Sequence, residues 1–445
     1  MKKFFLFLVV LITLSFSLFA GGAGQQQQSS GSQTVSPGKV EIRASYWGDA
    51  KRFELYDAII KEFEKVHTNI SVIREPISWN DYWDKLTVQI AGGNASDFLC
   101  MHPQYAADYI PRGVMEPLDK YVADGTISLD GWAQGTIDTG KYNGILYMLA
   151  MGVTYNGAIV NTGVFKELNI APPEFAWSWD DAKRIGLQVR AAFDAKGIKD
   201  SWMLADISTN IMNFRYYNRT FGREVYDEKG NINCTQEDVE RWFTMFKEFR
   251  DLGIIPDGAT STEFARTTLE DSLFARDRAL IVWNPANQYW QYCTTFPTKE
   301  VALIRMAGSK GQPYPTEWPQ GAHYGVYSGT TNEKKLAAAQ LVNFWLNDER
   351  SLVIYKFDQG VPANTPVVNR VVVPLLDEPS KVYFNFVNTL STIATPTIQP
   401  PSGASEIDSL FLNVGEQVAY NNITPATAAK EFYEQVVAIR AKASR

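Results

Sequence analysis

Residues 40–66 read VEIRASYWGDAKRFELYDAIIKEFEKV, and the change of period inside that stretch decides the fold. From Val40 to Tyr46 apolar and polar residues alternate, the two-residue repeat of a strand. From Lys51 to Val66 the repeat lengthens: Tyr56, Ile59, Ile60, Phe63 and Val66 form one apolar stripe and charges fill the opposite face, which predicts a helix. The pattern then recurs. Ile70 to Ile73 predicts a second strand, Asn80 or Asp81 caps a helix that runs to Ala91 and stops at Gly92-Gly93, and Phe98 to Met101 predicts a third strand. Strand, helix, strand, helix, strand implies a parallel sheet with helices on its faces. Ligands of such sheets sit outside the carboxyl ends of the strands. Three loops converge there: Trp47-Gly48-Asp49, Trp79-Asn80 and His102-Pro103-Gln104-Tyr105.

Upstream of this unit, Met1-Lys2-Lys3 precedes a mostly apolar run to Phe19 and then the small residues Ala20 to Ala23. That is the three-part pattern of a secretory signal peptide, and residues 1–23 are assigned to it. The run is short for a membrane span, which needs ~20 apolar residues. The first cysteine is Cys100, so lipidation at the cleavage site is not expected. Residues 24–39 are rich in Gln, Ser and Gly and read as a flexible leader. The remaining length exceeds one ordinary core and implies two domains. With a net charge of −7 and no basic stripe, nucleic acid is an unexpected partner. Three cysteines allow one disulfide at most and demand none.

The later chain alternates less regularly. Ile145 to Val160 is extended, Asp180 to Asp194 and Glu237 to Leu252 are helical, and Leu280 to Trp283 is a short strand. Asn332 to Asn347 is a strong helix, the run from Gly360 to Asn364 breaks the chain, and Glu406 to Asn413 and Ala426 to Ala443 close it with helices. No internal repeat is found.

Several of these segments, in this order, resemble the extracellular solute-binding proteins that serve carbohydrate ABC transporters, the maltose-binding-protein-like group. The matching stretches are FEKVHTNISVI (63–73), IAGGNASDFLCMHPQYAADYIPRGVMEPLDKYV (90–122), YNGILYMLAMGVTYNGAIVNTGVFKELNI (142–170), FARDRALIVWNPANQYW (274–290), TNEKKLAAAQLVNFWLNDERS (331–351) and GVPAN (360–364). Ser96 and Ala150 stand where the family usually has proline, which touches turns only. The resemblance implies an α/β fold of two lobes, the type II periplasmic-binding or Venus-flytrap architecture, with a hinge crossed three times. The crossings are expected near Met151–Tyr155, Phe274–Ala279 and Tyr324–Thr330. Lobe one would be 40–152 plus 278–327, and lobe two 153–277 plus 328–445. The implied function is that of a monomeric periplasmic subunit that traps a mono- or oligosaccharide between its lobes and delivers it to ABC transporter permease subunits. Two alternatives stay open: a secreted carbohydrate-active enzyme, and the same fold binding a non-sugar solute such as a polyamine.

A pyranose has apolar C–H faces that pack on flat aromatics, and hydroxyl edges that need planar polar partners. The chain has 12 tryptophans, several beside such partners at loops. Trp47 with Asp49 and Trp283 with Asn284 end strands on the ligand side and are read as ligand-binding. Trp79 and Trp318 fit site or core equally and join the candidates, with Gln104, His323 and Tyr324. Asp206 falls where the resemblance implies a polar residue of the second lobe. Trp83, Trp242 and Trp345 lie on helix stripes and belong to the core; Trp177 and Trp179 staple a helix start capped by Ser178 or Asp180. No catalytic residue, metal or cofactor is expected. His67, His102 and His323 match no metal spacing, and neither a G-x-S-x-G nor a phosphate loop occurs.

Overall fold

The computed structural model describes residues 38–443, apart from 266, 309–320, 395–397 and 399 and the side chains of Asn80, Gln104 and Ala443. The opening unit is strand β1 (Val40–Trp47), helix α1 (Ala50–Val66), β2 (Ile70–Ile77), α2 (Trp79–Ala91), β3 (Phe98–Met101) and a short α3 (Pro103–Tyr109). Three strands run parallel, β1 pairing with β2 from Val40 opposite Ile70 to Trp47 opposite Ile77. The stripe read on α1 is the buried one: Tyr56, Ile59, Ile60 and Phe63 are sealed, and Val66 at the helix end stays exposed.

Beyond it, β4 (Met148–Ala150), β5 (Asn156–Asn161), α4 (Trp179–Ala195), β6 (Trp202–Leu204), α5 (Gln236–Asp251), α6 (Gly258–Phe264), β7 (Ala279–Pro285), α7 (Tyr289–Thr295), β8 (Val301–Ile304) and β9 (His323–Val326) follow. Then come α8 (Asn332–Asn347), α9 (Glu349–Tyr355), α10 (Glu378–Ser391), α11 (Ala404–Ala419) and α12 (Pro425–Ala443). The strands sort into one sheet of order β2-β1-β3-β9-β4 and another of order β8-β5-β7-β6. Each carries its own core. Tyr56, Phe98, Tyr324, Leu341 and Trp345 fill the first, while Trp179, Trp242, Phe246, Ile281, Phe411 and Phe432 fill the second.

Two expected boundaries are corrected. Strands β7 and β8 lie in the second sheet, so 278–304 does not belong with lobe one, and no crossing falls at Phe274–Ala279. Helix α8 packs into the first core through Ala338, Leu341 and Trp345, so the chain does not leave lobe one at Tyr324–Thr330. Alternating hydrophobicity marks a strand but does not say which of two sheets it joins; here antiparallel pairing with β5 decides. Among the described residues the chain passes between lobes after Ala150, between Ile304 and His323, and between Tyr355 of the first core and Val368 of the second lobe.

At these connections three glycines touch. Met151 N–H donates to the Ala322 carbonyl at 2.8 Å, and Val153 and Val361 exchange N–H···O bonds at 2.7 and 2.8 Å. A Cβ on Gly152 would lie 2.5 Å from the Gly360 carbonyl carbon, and one on Gly321 would lie 2.8 Å from the Gly152 oxygen. Gly321 and Gly360 have φ of +143° and +131°, conformations that side chains resist. Gly152→Ala is therefore expected to cost about 2 kcal/mol or more of unfolding free energy in a denaturant titration. Gly135→Ala, where a Cβ meets nothing within 4 Å, should be neutral or slightly stabilising.

Candidate functional site

The carboxyl ends of β1, β2 and β3 gather an aromatic stack. Trp47 ends β1 and Trp79 opens α2 two residues past the end of β2, where the Ser78 hydroxyl accepts from Asp81 N–H and starts the helix. Their rings meet edge to face at 4.9 Å, and Trp83, one turn on, lies 5.5 Å from Trp47 and 5.4 Å from Trp79. Tyr105 of α3 closes on Trp83 at 4.0 Å, and Tyr82 braces Trp47 from the other side at 5.0 Å. Within this stack exposure is unequal: Trp79 is 38% exposed and Trp47 only 5%. Trp47 thus supports the stack, and Trp79 presents its surface.

At one edge of this region the start of α1 meets the second lobe. Asp49 caps α1, accepting from Arg52 N–H at 2.9 Å. Arg52 pairs with Asp358 at 2.7 Å, Tyr56 donates to the same carboxylate at 3.1 Å, and Asn287 donates to the Asp358 carbonyl at 2.7 Å. The Lys51 ammonium sits 4.1 Å over the Trp290 ring. Between these parts lies a pocket of about 210 Å³ bordered by Asp49, Lys51, Leu55, Asn287, Trp290 and Tyr383.

At the opposite edge α3 meets the start of α11. Gly403 is the N-cap and has no side chain to satisfy the helix's free N–H groups. Asp108 of the other lobe supplies the acceptor: its two oxygens take Gly403 N–H at 3.0 Å and the Ser405 hydroxyl at 2.6 Å, and Ser402 donates to the Ala107 carbonyl at 2.7 Å. Burial pushes the neighbouring Tyr105 phenol up to about 12, and the carboxylates of Asp408 and Asp108 add to the effect.

Of the remaining candidates, Tyr324 and His323 are corrected, while Asp206, Trp283 and Asn284 border a cavity of the second lobe. Tyr324 is 0% exposed, its ring 4.4 Å from Phe98 and 4.9 Å from Trp345, so it belongs to the first core. His323 is buried, held by Thr139 Oγ1 at 2.8 Å and the Gly321 carbonyl at 3.1 Å. Asp206 is paired: Arg250 takes one oxygen at 2.5 Å and Ser208 N–H the other at 2.8 Å. Trp283 stacks on Trp177 at 5.5 Å, 8° from parallel, and borders that cavity, its indole N–H buried without a partner among the described residues. Half-buried Asn284 spends its Nδ2 on Tyr292 OH at 2.7 Å. The Gln104 side chain and all of Trp318 lie outside the described residues. Sequence reasoning missed Asp108, Lys51, Asn287 and Trp290, since each acquires its role from contact across the lobes.

Burial lowers the His323 imidazole to about 3, with nearby His102 adding to the shift, and burial lowers His102 to about 4. Both are neutral in the folded protein. The unfolded chain, titrating near 6.5, binds more protons below that pH, so stability is full above pH 6.5 and falls as acid is added toward pH 3. Between pH 7 and pH 5 His323 should account for about 2 kcal/mol of lost stability. His323→Asn should lose that much less over the same interval, read from urea midpoints.

Two α/β lobes, with an aromatic surface where strand ends face the opposite lobe, define a periplasmic solute-binding protein fold. Residues 58–375 match the family model described as bacterial extracellular solute-binding protein, and the chain belongs to that family. A binding protein from Brucella abortus is 21% identical over 245 residues, 54% of this chain and 56% of that protein, so the chain spans about half the length of the curated relatives it matches. Among solved structures, a periplasmic oligogalacturonide-binding protein from Yersinia enterocolitica, in complex with saturated digalacturonic acid, superposes with a TM-score of 0.77 at 19% identity, covering 92% of this chain and 100% of its own. An ABC substrate-binding protein from Listeria monocytogenes in complex with cycloalternan gives 0.75 at 20% identity, covering 89% and 98%.

Proposed function

We propose that the protein is the exported sugar-binding subunit of an ABC importer, holding a saccharide between its lobes for delivery to membrane permease subunits. The observation that carries this reading is Trp79, a large half-exposed indole held on a stack of aromatics at the ligand end of the first sheet. An exposed indole there offers a flat apolar face to the C–H face of a pyranose. Asp49, Lys51 and Asn287 stand at the edge of the same region and suit hydroxyls. Gln104 remains a candidate from its loop past the third strand, and Trp318 as an indole among polar residues of its loop. The saccharide ligands of the Yersinia and Listeria structures support the choice of ligand class. The role is binding without turnover; product analysis after incubation with oligosaccharides should return them uncut.

A thermal-shift screen against a saccharide panel tests the reading, because a ligand that binds only the folded state raises the melting point. No shift with any saccharide would overturn it. With a binding saccharide in hand, the two tryptophans separate. Trp79→Ala is expected to weaken binding by about thirtyfold, about 2 kcal/mol, with an apo melting point close to wild type. Trp47→Ala should instead cost about 3–5 kcal/mol of stability.

Closure is the second element of the reading. Asp108 caps a helix of the other lobe, and parting the lobes would uncap it at a cost of about 1 kcal/mol. Asp108→Ala is expected to weaken saccharide binding about fivefold, through faster release, and to give a more open bound form in small-angle scattering. Unchanged release and scattering would count against a closing role for this contact.

A further inference from the structure

Beyond the carboxyl ends of β6 and β7, helices α6 and α11 border a cavity of about 280 Å³ within the second lobe. At about 30 Å³ per water it has room for roughly nine waters, the scale of one sugar-sized ring and far more than an ion needs. It adjoins the proposed binding region through α11. That helix starts at Asp108 of the other lobe, passes beside Tyr105 at Asp408, and brings Leu412 and Glu416 to the cavity wall.

The polar groups of the wall are mixed: the Trp283 indole N–H and the Ser261 hydroxyl are buried without a partner among the described residues, and the Tyr292 hydroxyl accepts from Asn284 with its own proton uncommitted. Asp206 is neutralised by Arg250. The Thr262 and Ser272 hydroxyls donate to the Gly258 and Leu269 carbonyls at 2.9 and 2.7 Å, so their protons are committed. Asn284 gives one amide N–H to Tyr292, which leaves its second N–H and its carbonyl oxygen. Glu416 is half-buried and forms no ion pair among the described residues. No lysine or arginine lines the cavity among the described residues. Phe264, Leu273 and Phe274 supply apolar walls. A group entering here meets both donors and acceptors, which suits hydroxyls, and one carboxylate with no described lining cation beside it, which disfavours negative charge because like charges brought together away from water repel.

We infer that this cavity is a subsite for one hydroxyl- or ammonium-bearing ring of the ligand, and that Glu416 makes the protein select against uronates. The inference rests on the saccharide reading above. It sets this chain apart from the Yersinia relative, whose bound ligand is a digalacturonic acid.

Calorimetric titration of the full chain at low salt tests it, with three probes of similar length: a neutral maltotriose, a glucosamine trimer and a trigalacturonate. The neutral or the amino trimer should bind at least tenfold more tightly than the uronate. Glu416→Lys should shrink that ratio at least tenfold, and Glu416→Gln should shrink it part of the way. Unchanged melting points of the two apo variants confirm that the ratio reports the site. A wild-type protein that binds the uronate as tightly as the others overturns the inference, as does a ratio that both variants leave within twofold. If the neutral trimer binds and depends on Trp79 while the ratio ignores Glu416, only the cavity assignment fails. If none of the trimers binds, the saccharide reading fails and takes the inference with it.

Discussion

Three stretches of backbone pass one another so closely at the connections between the lobes that no side chain fits between them. Gly152, Gly321 and Gly360 occupy that place, two of them in conformations that favour glycine. The close approach lets the Val153–Val361 pair and the Met151–Ala322 bond form, tying the outgoing and returning chain together. Everything above and below follows from it. The two sheets are held with the amino end of β5 and the carboxyl end of β4 next to each other, so the ligand ends of both sheets face the same region.

The binding region is built in tiers from this arrangement. Parallel strands release their chains at one end, and the residues just past each strand meet there. Trp47 is fixed by strand pairing and covered, while Trp79, one strand over and at a helix start, is left with a free surface. The lobes then touch on either side of the stack, by an ion pair, a cation over an indole and a hydrogen bond near the connections, and by a carboxylate capping a helix at the far edge. Contacts of this kind are polar, small in area and solvent-accessible at their rims, which suits lobes that separate and rejoin.

The opening β-α-β-α-β unit was legible because its period changes from two to three-and-a-half within a few residues, and the stripe of α1 named its own buried face. Helix α8 was legible for the same reason. Lobe membership was not: β7 and β8 have the same composition whichever sheet they join, and only pairing with β5 distinguishes them. Within the candidate site, the aromatics at strand ends were visible, but their order of burial was not. Trp47 is covered because Trp79, Tyr82 and Trp83 of α2 pack on it, a contact that the spacing of the strand alone does not announce. Tyr324 sits on a strand whose neighbours on both sides are other strands, so its polar tip gave no hint of a sealed ring. Asp108 looked like an ordinary surface acid on a short helix, since its partner lies 295 residues away.

The position of β9 has a consequence for how the molecule reaches this state. It runs between β3 and the edge strand β4 of the first sheet, and α8 behind it supplies Trp345 to the first core. The half of the protein that begins at Val40 therefore lacks its fourth strand until residue 326, and part of its core until residue 363, has been made. Chains dominated by such distant pairings fold slowly, because loop closure precedes any gain from contact. Until β9 has been made, the three parallel strands β2, β1 and β3 can pair, but β4 has no strand to join it to them.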